Sequence, residues 1–377
     1  MRVSLYLLNL SAISKSFRQI DVVSRLDEQH SDKVDIGREV PRERERIETI
    51  HCLRGVASFA VCWFHLTNGN TGFLASGPLK LSGAYGWLGV EIFFVISGFI
   101  LPWAMFSAGY KLNLKNYTMF LLKRVLRLDP PYLAAVIVSI VLAYVSFWLP
   151  GYRGNPPDIG LPRVLAHMAY LNAFFKYEWL NPVFWSLAIE FQYYLLIGLA
   201  LPLITSRAAV VRLLGGVTLA SLSILPAGEA FLSHYIFLFL MGILVFQYRI
   251  KRMPTPEALL FLGIAAVGAW ANLGVLISAA GLGTSLAIMF LQWRNSILGW
   301  LGNISYSLYL VHVPLGGRII NLAARFERNE SMKLISVAVA LAASLVAAYG
   351  MFRFVESPSQ KWAKSIRFRS EEVVLCR

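Results

Sequence analysis

The stretch Leu53-Arg54-Gly55-Val56-Ala57-Ser58-Phe59-Ala60-Val61-Cys62-Trp63-Phe64-His65-Leu66 sets two basic side chains in a run apolar enough to enter a membrane. Arg54 and His65 are eleven residues apart. In a helix that separation is close to three turns, so both side chains point to one face, about 16 Å apart along the axis. Lipid is a costly neighbour for either, and both are therefore expected to face the interior of a helical bundle. A histidine there serves either a local hydrogen bond or proton transfer, and the stretch alone leaves both open.

Outward from this stretch, the composition points the same way. The chain has 377 residues, 57% of them hydrophobic and only 15% charged. The apolar residues lie in blocks, such as 133–149 and 333–349, that a soluble domain does not carry. The expected fold class is all-α, a polytopic membrane helical bundle of about ten transmembrane helices. The segments are 53–69, 87–104, 133–150, 184–204, 208–225, 232–248, 257–272, 274–291, 299–317 and 333–352. The seventh and eighth could form one hairpin, and 163–175 could form a re-entrant or interfacial helix. Residues 1–52 read as a weakly structured cytoplasmic tail, 53–353 as the membrane domain and 354–377 as a short cytoplasmic tail. Met1 to Leu10 are somewhat apolar, but the core is too short and the small-residue cleavage site too indistinct for a signal peptide to be expected.

Basic residues supply the orientation. With the N-terminus inside, cytoplasmic segments hold 26 Lys and Arg and external ones 8, so both termini are expected in the cytoplasm. The net charge of +14 is read through this distribution, and no nucleic-acid partner is expected. Cys52, Cys62 and Cys376 have neither paired nor metal-ligand spacing, so neither a metal site nor a disulfide framework follows.

Three further motifs carry ionisable or hydroxyl groups. Arg124 and Arg127, three apart, share a helical face just before Asp129, Pro130 and Pro131. A positive-inside anchor and a clamp for phosphate both use this pattern. The fourth segment opens with Trp185, Ser186 and Glu190, the last two sharing a face one turn apart. Glu190 needs a partner, which is either a buried arginine such as Arg54 or, in a functional role, the His65 ring or an acceptor hydroxyl. In the ninth segment Ser305, Tyr309 and His312 follow the i, i+4, i+7 rhythm of one face, a stripe suited to hydrogen bonds with neighbouring helices. The run from Trp87 to Ile100 contains Glu91, which also needs a partner, and Gly98, which suits close helix contact.

At these positions the chain resembles the acyltransferase 3 family of integral membrane acyltransferases. The runs are Leu53-Arg54-Gly55 with His65 after ten residues; Gly89-Val90-Glu91-Ile92-Phe93-Phe94-Val95-Ile96-Ser97-Gly98-Phe99; Arg124 to Tyr132; Phe184-Trp185-Ser186-Leu187 with Glu190; Phe239-Leu240-Met241-Gly242; and Ile304-Ser305-Tyr306-Ser307-Leu308-Tyr309-Leu310 with His312 and Pro314. They stand in the family's order. The resemblance implies a bundle of about ten helices that moves an acyl group, usually acetyl, from cytoplasmic acyl-CoA to a hydroxyl of a surface carbohydrate or glycolipid. It makes His65 the essential residue, paired with Arg54, and associates Arg124 and Arg127 with the nucleotide end of the donor. Acyl-CoA is then a substrate and no bound cofactor is expected.

Two positions depart from the family pattern. His51 stands where an acidic residue often precedes the arginine, and Glu356-Ser357-Pro358 replaces a Glu-Lys-Pro-like ending, a change expected to bear on packing rather than chemistry. No appended esterase-like domain is expected after the last segment.

The expected mechanism has His65 as general base on the acceptor hydroxyl, with transient acyl transfer to its ring as the alternative, and Glu190 orienting the acceptor or His65. Trp185, Ser186, Tyr309 and His312 are supporting or acceptor-side candidates. The expected location is a bacterial inner membrane. A transporter is the competing class, since intramembrane Arg, Glu and His also mark substrate paths, although no internal repeat of broken helices is visible.

Overall fold

The computed structural model describes residues 36–149, 156–225, 228–326 and 329–366. Contacts divide the chain into Met1–Arg44 and Glu45–Arg377. In the first unit the described residues, 36–44, are helical. The expected tail segments 1–35 and 367–377 lie outside the described residues.

Among the described residues every regular element is helical. The elements are α1 (Ile36–Thr67), α2 (Pro78–Gly83), α3 (Gly89–Ser107), α4 (Leu114–Trp148), α5 (Leu161–Met168), α6 (Asn172–Phe175), α7 (Phe184–Thr205) and α8 (Ala209–Ser221). They continue with α9 (Leu232–Arg249), α10 (Thr255–Leu273), α11 (Val275–Phe290), α12 (Ser296–Asn303), α13 (Ser305–Val311), α14 (Arg318–Phe326), α15 (Glu330–Met351) and α16 (Ser357–Ser365).

Six stretches among the described residues are long and apolar enough to cross a membrane: Pro78–Ser107, Leu114–Trp148, Phe184–Thr205, Leu232–Arg249, Thr255–Leu273 and Glu330–Ser365. Two more of the expected segments are shorter apolar helices, Ala209–Ile224 and Val275–Phe290. The seventh and eighth segments meet at Gly274, whose φ of 89° turns the chain directly from α10 into α11. The region 163–175 is two short helices, α5 and α6. The boundary drawn at residue 52 falls inside α1, and helical structure continues past residue 354 through α16.

The ninth segment, 299–317, is a broken helix. Its polar stripe begins at Ser305, after a break at Ile304, and a π-helical turn covers His312–Gly317. Such turns open the regular hydrogen-bond ladder and occur often at functional sites. Pro314 sits in this turn and has no N–H for the Leu310 carbonyl. Asn181 Nδ2 donates to that carbonyl instead, at 3.1 Å. α4 solves the same problem at its Pro130-Pro131 pair. Pro131 leaves the Arg127 carbonyl without its helical donor, and Ser359 Oγ of α16 lies 3.1 Å from it, sharing its one hydrogen between this carbonyl and that of Glu356 at 2.8 Å. In both places a distant side chain completes a backbone opened by proline.

Helix association in lipid gains little from the hydrophobic effect and depends on close packing and hydrogen bonds. Glycines provide the approach here. A Cβ on Gly98 would strike the Phe239 carbonyl, and one on Gly242 the Val95 carbonyl, so α3 and α9 touch backbone to backbone. Tyr193 of α7 locks this contact, donating to the Gly98 carbonyl at 3.3 Å with its ring 4.3 Å from that of Phe239. The contact holds Ser97, next in the chain to Gly98, at a fixed place against α7. Gly55 of α1 and Gly302 of α12 bring those two helices together in the same manner, one against the Leu298 carbonyl and the other against that of His51. This second contact brings α1 and the broken ninth segment together, and both carry polar side chains.

Candidate active site

Two side chains of α1 each meet one residue of the ninth segment. The Arg54 guanidinium donates through Nε (3.2 Å) and Nη2 (3.0 Å) to Ser305 Oγ, which itself donates to the Gly302 carbonyl at 2.8 Å. Three turns along α1, His65 Nδ1 lies 3.2 Å from His312 Nε2. Between these rungs Tyr309 pairs with Ser186 of α7, hydroxyl to hydroxyl at 2.6 Å. Each member of the Ser305, Tyr309, His312 stripe therefore bonds a different polar side chain on a neighbouring helix.

At the Arg54 end, a cavity of about 140 Å³ lies between α1, α3, α4, α7 and α13. Arg54, Arg124 and Arg127 all line it, with Glu190, Glu356, Ser97, Ser186, Tyr194 and Tyr309. Arg54 feels Arg127 as a like charge and Glu356 and Glu190 as opposite charges. Glu190 Oε1 accepts from Ser97 Oγ at 2.7 Å. Arg124 packs against aromatic rings, its guanidinium carbon 5.5 Å from the centre of Phe120 and 6.0 Å from that of Tyr194. Its Nε is buried with no hydrogen-bond partner among the described residues. A buried donor left open, in a cavity holding three guanidiniums and two carboxylates, suits an anion brought from outside the protein.

Histidine 65 does not line this cavity. It sits at the end of α1, its Nδ1 also 2.9 Å from the Val61 carbonyl, with the Phe64 ring edge-on to it. His312 is fully buried, and its Nδ1 is 3.0 Å from the Leu308 carbonyl. Tyr309 connects the two regions, since it lines the cavity and its ring centre lies 5.9 Å from that of His312.

The structure thus gathers Arg54, Arg124, Arg127, Glu190, Ser186 and Tyr309 around one cavity and pairs His65 with His312 beyond it. Of the protein partners considered for Glu190, the arginines share its cavity, whereas the His65 ring bonds elsewhere; Glu190 accepts hydrogen bonds from Ser97 and Tyr194. Trp185 stands apart from the cavity lining, packed between Phe94 and Tyr235 at centroid distances of 6.2 and 5.6 Å.

Glu356 was not among the sequence-derived site residues. It is buried, lines the cavity, and accepts from Ser307 Oγ at 2.5 Å and from Gln360 Nε2 at 2.9 Å. The run Glu356-Ser357-Pro358, expected to bear on packing, thus also supplies a carboxylate to the site.

Comparison with known proteins gives these positions a family. The model of the acyltransferase domain, Acyl_transf_3, matches residues 47–353. The O-acetyltransferase OatA of Staphylococcus aureus strain NCTC 8325 / PS 47 is 24% identical over 361 residues, covering 82% of this chain and 57% of that protein. OatA of strain COL matches to the same extent. The chain thus spans little more than half the length of these curated relatives. No solved structure matches it. With the family model covering most of the chain, from the approach to Arg54 through the last long membrane helix, this protein belongs to the acyltransferase 3 family of membrane acyltransferases.

Proposed function

We propose that this protein is a membrane O-acetyltransferase that takes acetyl from cytoplasmic acetyl-CoA and places it on a hydroxyl of a cell-surface or secreted carbohydrate, with His65 as general base. The observation that carries the reading is the convergence of Arg54, Arg124 and Arg127 on one cavity, with the His65 imidazole three turns from Arg54 on the same helix. The family and the OatA relatives support the reaction class.

In this reading the donor phosphates meet the guanidiniums, with Arg124 contributing its open Nε. Glu190 and Glu356 keep the three like charges from repelling one another when the cavity is empty. The pantetheine arm extends past Tyr309, and about 16 Å brings the thioester to His65. The acceptor hydroxyl gives its proton to the imidazole as its oxygen attacks the thioester carbonyl. The carbon–sulfur bond breaks, and the departing thiolate recovers the proton from the imidazolium. The products are the O-acetyl ester and free CoA. Donor and acceptor approach from opposite faces, so the bilayer need not be crossed by a carrier.

The test is sidedness in sealed plasma-membrane vesicles containing the protein. Labelled acetyl-CoA should label carbohydrate when supplied to the cytoplasmic face and not when supplied to the other. Equal labelling from both faces would overturn the transmembrane arrangement, and no labelling from either face would overturn the transfer from acetyl-CoA.

A further inference from the structure

We infer that His312 is the positioning residue for His65: its lone pair is a second acceptor, beside the Val61 carbonyl, for the hydrogen on His65 Nδ1, and it holds the imidazolium that forms when Nε2 takes a proton. The inference rests on the reading of His65 as the base.

The argument starts from backbone carbonyls, which can only accept. His312 Nδ1 lies 3.0 Å from the Leu308 carbonyl, so this nitrogen carries the hydrogen. In the uncharged ring, Nε2 of His312 then presents a lone pair. That lone pair faces His65 Nδ1 at 3.2 Å. The same His65 nitrogen lies 2.9 Å from the Val61 carbonyl. Both neighbours of His65 Nδ1 are acceptors, so Nδ1 carries the hydrogen and Nε2 is left as the basic nitrogen. Two carbonyls, four residues before each histidine, thereby orient the whole pair.

The consequence for proton transfer is direct. When His65 Nε2 takes the acceptor's proton, the ring becomes an imidazolium whose Nδ1–H is shared between the Val61 carbonyl at 2.9 Å and His312 Nε2 at 3.2 Å. Both bonds become charge-assisted and strengthen as charge develops. A carboxylate in the same position would orient the ring equally well, but it would bury a permanent charge at membrane depth. An imidazole supplies the acceptor without that cost. The π-helical turn begins at His312 itself, and Asn181 holds the carbonyl that Pro314 opens two residues before it, so the ring sits on a braced backbone.

The test combines a spectroscopic measurement with kinetics. Nitrogen-15 NMR of ring-labelled histidine in the reconstituted intact protein, with the His65 signals assigned by their loss in His65→Gln, should show His65 protonated at Nδ1 and bare at Nε2. In His312→Ala the Val61 carbonyl still accepts from Nδ1, so the same tautomer should persist. Turnover in that variant should fall by roughly 100-fold, within the range for general-base catalysis, while the donor KM stays within about twofold. His312→Gln keeps an acceptor for the Nδ1–H and should recover turnover to within about tenfold of the parent. A His65 ring protonated at Nε2 in the intact protein would overturn the inference, whatever the variants do. So would unchanged turnover in His312→Ala. Full activity in His65→Ala would instead remove the base assignment, a failure separate from that of the ring geometry.

Discussion

The two ends of the α1 polar face are built on different principles. Around Arg54 the polar groups are charged, numerous and gathered on a cavity, and a buried donor, Arg124 Nε, has no partner among the described residues. Around His65 the groups are uncharged and few, and two imidazoles are tied to each other and to backbone carbonyls. The first arrangement is suited to receiving an anion from outside, and the second to holding one ring still. A single helix thus presents a charged cavity and a held imidazole about 16 Å apart.

Variants at the two ends should therefore fail in different ways. The largest effect is expected from His65→Ala, which should lower turnover by about 1,000-fold, in the range for loss of a general base, while binding of labelled acetyl-CoA to the purified protein persists. Loss of donor binding in that variant would merge the two regions. Arg124→Ala should raise the donor KM by about 10- to 100-fold, as expected for a lost charge-assisted hydrogen bond, with a smaller effect on the acceptor KM. Arg124→Lys should recover only part of this, because an ammonium lacks the planar fork and the stacking on Phe120 and Tyr194. Equal changes in donor and acceptor KM would speak against a donor clamp.

The smallest effects should come from the side chains that complete the proline-opened carbonyls. Asn181→Ala removes the donor to the Leu310 carbonyl and should reduce turnover about fivefold, equivalent to about 1 kcal/mol, through the mobility it gives His312. Ser359→Ala removes the donor to the Arg127 carbonyl and should raise the donor KM by no more than about fivefold. Steady-state kinetics on the two variants side by side checks the division. If the effects exchange, so that Asn181→Ala moves the donor KM and Ser359→Ala moves turnover, the comparison drawn above is wrong.

Much of this site was legible from local spacing. The eleven-residue separation of Arg54 and His65 and the stripe of Ser305, Tyr309 and His312 are helical periodicities, and the structure places each set along one line of contacts. What periodicity does not encode is the partner. Arg54 meets Ser305 across 251 positions and His65 meets His312 across 247, pairings created by the packing of α1 on the ninth segment. Glu356 escaped for a related reason: it lies beyond the last apolar run in sequence, and helical structure carries it back into the cavity. The expected ten apolar segments illustrate the opposing pull of function. Six of the stretches are long and apolar enough to span, whereas those bearing Arg54 with His65, and the Ser305 to His312 stripe, trade hydrophobicity and helical regularity for polar contacts.

The most direct test of the account is transfer of labelled acetyl from acetyl-CoA to carbohydrate in membranes containing the intact chain or His65→Ala at equal abundance. The account predicts label in carbohydrate with the intact chain and about 1,000-fold less with the variant. Equal label in both would contradict it.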